Sequence, residues 1–305
     1  APLPAMSFSA DVPLILAAIV LNGATAVGAY FKRAVRLSGA IAGFLIGAGV
    51  FYLGGLVFWI HLMLFFGSST VASRIGTTAK ERLERIHEKG SRRDAVQVVA
   101  NAGVPVVGLL LAHLTGVGWY LLLAAGGFAS ANADTWASEI GVLSRRRPRS
   151  IITREPLEPG TSGGTSPLGT AAALAGSALI ATWTVVGFLL IASNDADPLL
   201  SGNLESAGAA GSIGLLGVFF VVWIAGAAGS VIDSVLGATV QAQYRTRDGE
   251  YTERKRSEDP DHANRDTPAL NERVRGLHWV TNDVVNLASA IAAASLAVLL
   301  GITLA

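Results

Sequence analysis

The stretch FASANADTWASEIG, from Phe128 to Gly141, sets Ser130, Asn132, Asp134, Thr135, Ser138 and Glu139 directly after an apolar run, and the basic cluster Arg145, Arg146 and Arg147 follows. A charge inside a spanning helix costs roughly 2.5 to 3.5 kcal/mol on insertion scales, so an acid there marks a functional site by default. Other polar residues repeat the pattern. Asn22 stands ten residues before Lys32, Asp233 twelve before Arg245, and Asn282 and Asp283 seven and eight after Arg275. At about 1.5 Å per residue these groups sit roughly 10 to 18 Å from one charge belt, and they are expected to share one pocket. Spacings of four place Ser130, Asp134 and Ser138 on one helix face, Gln97 and Asn101 on another, and His278, Asn282 and Asn286 on a third.

These residue types suit phosphate and divalent metal. Asp134, Glu139, Asp233 and Asp283 are hard oxygen ligands of the kind Mg²⁺ takes one or two at a time with waters retained, and the three aspartates are the expected catalytic groups. Asn101, Asn132, Asn282 and Asn286, with Gln97, are expected to position waters or phosphate oxygens. A second feature, PLEPGTSGGTSPLGT from Pro156 to Thr170, leads into an apolar run. Gly160, Thr161, Ser162, Gly163 and Gly164 let backbone N–H groups turn toward an anion, and a following helix N-terminus adds positive potential. Arg145 and Arg154 lie just upstream. No Gly-Lys-Ser/Thr follows, so this is not a P-loop, and a flexible entry into a membrane helix is the plain alternative.

The elements that must carry these groups are membrane helices. Hydrophobic residues make up 51% of the 305 and charged ones 15%, and several apolar runs reach the roughly 20 residues that cross a hydrocarbon core. The expected fold is all-α, a polytopic integral membrane helix bundle of one domain, residues 1–305. Eight spans are expected, at about Val12–Phe31, Ser38–Leu53, Leu56–Ala72, Ala95–Leu114, Val117–Val142, Leu168–Ile191, Gly214–Gln241 and Leu277–Leu300. No basic leader precedes the first run, which therefore reads as a span rather than a signal peptide. Gly54 and Gly55 leave room only for a tight hairpin between the second and third, and Pro105 is expected to kink the fourth.

The loops after the first, third, fifth and seventh spans hold all 23 Lys and Arg residues, which places them on the cytoplasmic side with both termini outside. The larger cytoplasmic loops are 74–94, 144–167 and 243–275. Thr78–Arg93 reads as a solvated or interfacial helix, and Tyr244–Asp266 as a mobile flap without periodicity. The chain has no cysteine, its five histidines show no zinc spacing, and a net charge of +1 gives no reason to expect nucleic acid. Two functions stand at this point. One is phosphate chemistry at the inner face; the other is a secondary transporter or ion channel, for which the helices would break around Gly126 and Gly127 or Gly226 and Gly229.

Five blocks in order, HEKGSRRDAVQVVANAG, SANADTWASEIG, EPGTSGGTSPLGT, GSVIDSVLGATVQ and WVTNDVVNLAS, resemble the membrane family known as domain of unknown function 92. That family includes animal transmembrane protein 19 and the plant phytyl-phosphate kinase. The family more usually has Asn and Val where this chain has Ser162 and Thr165. The resemblance implies a kinase that carries a phosphoryl group from CTP or another nucleoside triphosphate, with Mg²⁺, to an isoprenyl monophosphate. It further implies a lipid substrate met at the cytoplasmic face of a cell membrane, of prokaryotic type. Neither reading fixes the oligomeric state.

Overall fold

The structure, a computed structural model, describes residues 8–76, 92–193, 212–247, 249–256 and 270–305. Seven helices run through these residues: α1 (Phe8–Phe31), α2 (Leu37–Arg74), α3 (Ala95–Thr115), α4 (Trp119–Gly141), α5 (Pro167–Ser193), α6 (Gly214–Thr239) and α7 (Asn282–Leu304). All but α4 are long and apolar enough to cross a membrane. The polar stretch Ser130–Glu139 takes α4 out of that class, yet α4 is the axis of the bundle and touches α2, α3, α5, α6 and α7. Of its polar groups Ser130 and Asn132 are fully enclosed by protein, a setting in which such groups are tolerated.

Within α2 the backbone turns back at Gly55, whose φ of 60° and ψ of −163° are not helical. A straight helix would carry Gly39 about 39 Å from Phe65. Instead the Arg93 carbonyl packs on Gly39 while the Arg93 guanidinium lies 5.6 Å from the Phe65 ring centre, so the two arms of α2 run side by side. The expected hairpin at Gly54–Gly55 is therefore present, built with almost no loop.

Small residues bring the helices close. A methyl group on Gly226 would strike Ser177 and Ala129, one on Gly229 would strike Ser130, and one on Gly126 would lie 2.8 Å from the Ala297 Cβ. Such contacts are how helices pack where lipid gives no hydrophobic drive between them. Helices α4 and α6 pass unbroken through these glycine pairs, so the discontinuous helices expected of a transporter are not found there. Pro105 sits inside α3 against Gly127. α3 opens on a capping box, in which Asp94 Oδ1 accepts from the Gln97 N–H at 3.0 Å and Gln97 Oε1 accepts from the Asp94 N–H at 3.1 Å. Pro167 at the first position of α5 follows Ser166, whose Oγ accepts from the Gly169 N–H at 3.1 Å.

The described residues are mostly helical, as expected, and two small sheets add to the helices. β1 (Arg149–Ser150) pairs antiparallel with β2 (Gly164–Thr165), and β3 (Gln243–Arg245) pairs with both β4 (Tyr251–Thr252) and β5 (Glu272–Arg275). The stretch from Tyr244 expected to be a flap thus carries two strand segments, residues 244–245 of β3 and Tyr251–Thr252, because β3 finds partners on both edges. The last helix begins at Asn282 and not at Leu277, since Gly276 (φ 75°) and a turn ending in the Val280 N–H to Leu277 O bond precede it. Most of the solvated helix expected over Thr78–Arg93 falls in residues 77–91, which lie outside the described part, as does the acidic stretch 194–211.

Candidate functional site

Six helix ends surround a cavity of about 600 Å³ at the end of the bundle that carries the basic loops. The C-terminal turns of α2, α4 and α6 contribute Ser73, Ser138, Glu139 and Ser234, and the first turns of α3, α5 and α7 contribute Gln97, Gly169, Thr170, Asn282 and Asp283. Helix N-termini carry partial positive charge and free N–H groups, so three of them here favour an anion.

Most of the residues singled out by type and spacing meet on this wall. Asp134, Glu139, Asp233 and Asp283 line the cavity with Asn101, Arg154, Gly160, Thr161, Ser162, Gly163, Gly164, Asn282 and Asn286. Asp134 and Asp233 are close enough to repel when both are ionised. Ser289 Oγ donates to Asp233 Oδ2 at 3.2 Å, and Ser73 Oγ donates to Glu139 Oε1 at 2.8 Å. Asn286 Oδ1 is buried with no hydrogen-bond donor among the described residues.

Other expected members lie elsewhere. Asn132 is buried between helices, its Nδ2 donating to Gly176 O at 2.8 Å and its Oδ1 accepting from Ser68 Oγ at 2.9 Å. It joins α2, α4 and α5 and takes no part in the cavity wall, because two residues along a helix is a rotation of about 200° from Asp134. Arg145 gives way to its neighbour Arg146, which is on the wall. Asn22 donates to Ala18 O at 2.8 Å and accepts from Trp59 Nε1 at 3.0 Å, away from the acids. His278 precedes α7 and so shares no helical face with Asn282 and Asn286. Ser130, a turn deeper than Asp134, packs on Gly229.

The glycine segment is folded and not a loose entry. Gly163, with φ 81°, lies against the backbone of Ala238, and its carbonyl accepts from the Ile151 N–H at 3.0 Å. Gly164 N–H returns to Thr161 O at 3.0 Å. Arg154 holds a left-handed φ of 62°, an uncommon conformation for a residue with a side chain and one that clusters at functional sites.

Glu253, from the stretch read as a mobile flap, closes the segment. Its Oε1 accepts from Ser162 Oγ at 2.7 Å and from Gln241 Nε2 at 2.8 Å. Arg275 donates to Ser162 O at 3.3 Å and to Gly237 O at 3.0 Å, so the second sheet is tied to the segment from two sides. Arg93 also faces the cavity; burial lowers its pKa and the nearby Glu139 raises it, and an arginine in such a setting stays charged. Neither Glu253 nor Arg93 was singled out from sequence. Arg93 had a signal, since it precedes the Asp94-x-x-Gln97 capping pattern and must sit at the mouth of α3.

The donor set fits a magnesium ion. The acids and amides offer oxygen, an orphaned Asn286 Oδ1 is among them, and no three His, Asp or Glu among the described residues stand close enough to cage a metal by themselves. Magnesium takes one or two carboxylates and completes its shell with water and phosphate.

A bundle of apolar helices enclosing a polar cavity near one end defines an integral membrane protein. The chain belongs to the family described as Integral membrane protein DUF92, which it matches over residues 20–294. It is 32% identical to Protein PGR of Arabidopsis thaliana over 242 residues, 74% of this chain and 79% of that one. It is also 32% identical to an uncharacterised membrane protein of Methanocaldococcus jannaschii over 191 residues, 58% of this chain and 77% of the other. These relatives come from a plant and an archaeon, so they do not separate the expected prokaryotic source from a eukaryotic one. No solved structure matches.

Proposed function

We propose that this protein transfers the terminal phosphoryl group of a nucleoside triphosphate to an isoprenyl monophosphate, giving the diphosphate, at the cytoplasmic face of a membrane that it crosses eight times with both termini outside. The observation that carries this reading is the cavity in which three aspartates, two glutamates, Arg93, Arg146, Arg154 and the glycine segment face one another. Phosphoryl transfer asks little covalent work of a protein; it asks for charge neutralisation and in-line positioning.

In this reading the glycine segment, Arg146 and Arg154 hold the nucleotide phosphates. Asp134 and Asp233 would hold Mg²⁺ between them, with water and phosphate completing its shell, and the ion would supply neutralisation of phosphate oxygens, while Asp283 and Glu139 line the wall around it. Asn101, Asn282 and Asn286 orient the acceptor phosphate. One oxygen of that phosphate forms the new bond to the terminal phosphorus as the bond from that phosphorus to the bridging oxygen breaks, and the nucleoside diphosphate leaves. No base is needed. A phosphate monoester has its second pKa near 6 by analogy with phosphorylated side chains, so at pH 7 it is mostly a dianion. The obstacle is repulsion between anions, and a wall of cations, helix N-termini and metal ligands meets it.

The test offers purified protein an isoprenyl monophosphate and the free isoprenol, each with each nucleoside triphosphate and Mg²⁺. Diphosphate product from the monophosphate is the expected result. Phosphorylation of the alcohol with none of the monophosphate overturns the acceptor assignment, and nucleotide consumption with neither overturns the kinase reading.

A further inference from the structure

A second void adjoins the polar cavity. It lies between α1, the folded α2 and α3, and measures about 70 Å³ against about 600 Å³ for its neighbour, so it is a slot rather than a chamber. Its walls are Ala26 and Ala29 on one side, Ala40 and Gly43 on another, and Phe66 and Ala102 beyond. The two polar side chains of α1 within it are satisfied inside the protein: Asn22 by Ala18 O and Trp59, and Thr25 by its 2.8 Å bond to Leu21 O. The slot therefore presents hydrocarbon. A methyl group added to Gly43 would meet nothing within 4 Å, so this part of the wall faces open space.

The slot and the polar cavity share Phe65, Arg93, Gln97 and Asn101. Arg93 stands at the junction, its guanidinium 5.6 Å from the Phe65 ring centre and 5.4 Å from that of Phe66. One side of this partition holds acids and the glycine segment; the other holds small apolar side chains. That polarity matches a molecule with an anionic head and a single apolar tail.

We infer that the slot receives the hydrocarbon chain of a single-chain phosphate ester whose head lies in the polar cavity beside Arg93, Gln97 and Asn101. This deepens the phosphoryl-transfer reading and rests on it: the chain is the isoprenyl tail of the acceptor. A tail left in the aqueous cavity would expose apolar surface that grows with each isoprene unit, and the slot takes that surface out of water. A volume of about 70 Å³ holds part of one chain and not the two of a phospholipid, and the rest of the tail runs on past Gly43, where the wall faces open space.

Gly43→Phe tests this, because its ring would fill the slot and a helix gains from losing a glycine. Turnover of isoprenyl monophosphates of one and of four isoprene units is compared between wild type and variant. In parallel, a four-unit isoprenyl phosphate with a photoreactive group at its far end is cross-linked and the labelled residues mapped. Expected are a fall of roughly tenfold or more in kcat/KM for the long acceptor relative to the short one, and labels on α1, either arm of α2 or α3 that disappear in Gly43→Phe. An unchanged ratio, or labels on other helices while wild type still makes diphosphate, overturns the slot assignment and leaves phosphoryl transfer standing. Equal labelling by a two-chain phosphatidic acid probe also overturns it. Wild type that neither labels with nor phosphorylates any isoprenyl phosphate sinks both.

Discussion

Asp233 and Asn132 show how residues of similar size inside one bundle take opposite roles. Asp233 lines the polar cavity, oriented by Ser289, and has Asp134 near enough to repel it. Asp233→Asn keeps the shape and the Ser289 contact but removes the charge, so we expect unchanged thermal stability in detergent. Metal-dependent nucleotide turnover should fall by about 10²-fold or more, the scale of losing one electrostatic partner in a transition state. Equal turnover in the variant would make the acid structural. Asn132→Leu should do the reverse: it leaves Gly176 O and Ser68 without their partner, a cost of about 1–3 kcal/mol, and the melting temperature should drop while nucleotide affinity in the folded fraction holds. The acids were legible in sequence because a carboxylate in an apolar run has few other reasons to be there. Asn132 was misread because residue type alone does not say which way a side chain faces, and the helical period puts it away from Asp134.

At the scale of elements the helices were legible and the sheets were not. Apolar runs bounded by charge give helix ends within a few residues, and the Gly54–Gly55 pair gave the reversal in α2. Strands of two to four residues contain too few positions for an alternating pattern, so β1 to β5 carried no periodic signal. The late start of α7 had one: Thr281 is a residue type favoured at an N-cap, and it sits at that position before Asn282. The glycine segment is where element and site meet. Gly163 takes a left-handed φ and leaves no room for a Cβ against Ala238, so Gly163→Ala strains the backbone and pushes the segment off α6 at once. We expect that variant to keep its helix content by circular dichroism and its melting temperature within a few degrees, because the bundle core does not include the segment. Nucleotide affinity should fall roughly tenfold or more, and undiminished affinity would remove the segment from the site.

For the molecule as a whole, the proposed function requires that the end carrying the basic loops face the cytoplasm. All 23 Lys and Arg residues fall in four of the loops, and the described ones among them gather at the end where α2, α4 and α6 finish and α3, α5 and α7 begin. The cavity opens among those same helix ends, so a soluble ligand reaches it from whichever compartment the basic loops face. Positive charge concentrates on the cytoplasmic side of membrane proteins, and the proposed orientation rests on that tendency. The chain has no cysteine, so a single engineered thiol reports its own position without background. Thr115, exposed where α3 ends at the far side, and Arg147, exposed in the basic loop after α4, are surface positions outside the cavity wall. In intact cells an impermeant thiol reagent should label Thr115→Cys and leave Arg147→Cys untouched until the membrane is opened. The reverse pattern would turn the cavity to the outside, where a phosphoryl donor is scarce, and would remove the physical basis of the kinase reading. Labelling of both from one side would break the alternation of helices that brings Asp134, Asp233 and Asp283 to one level.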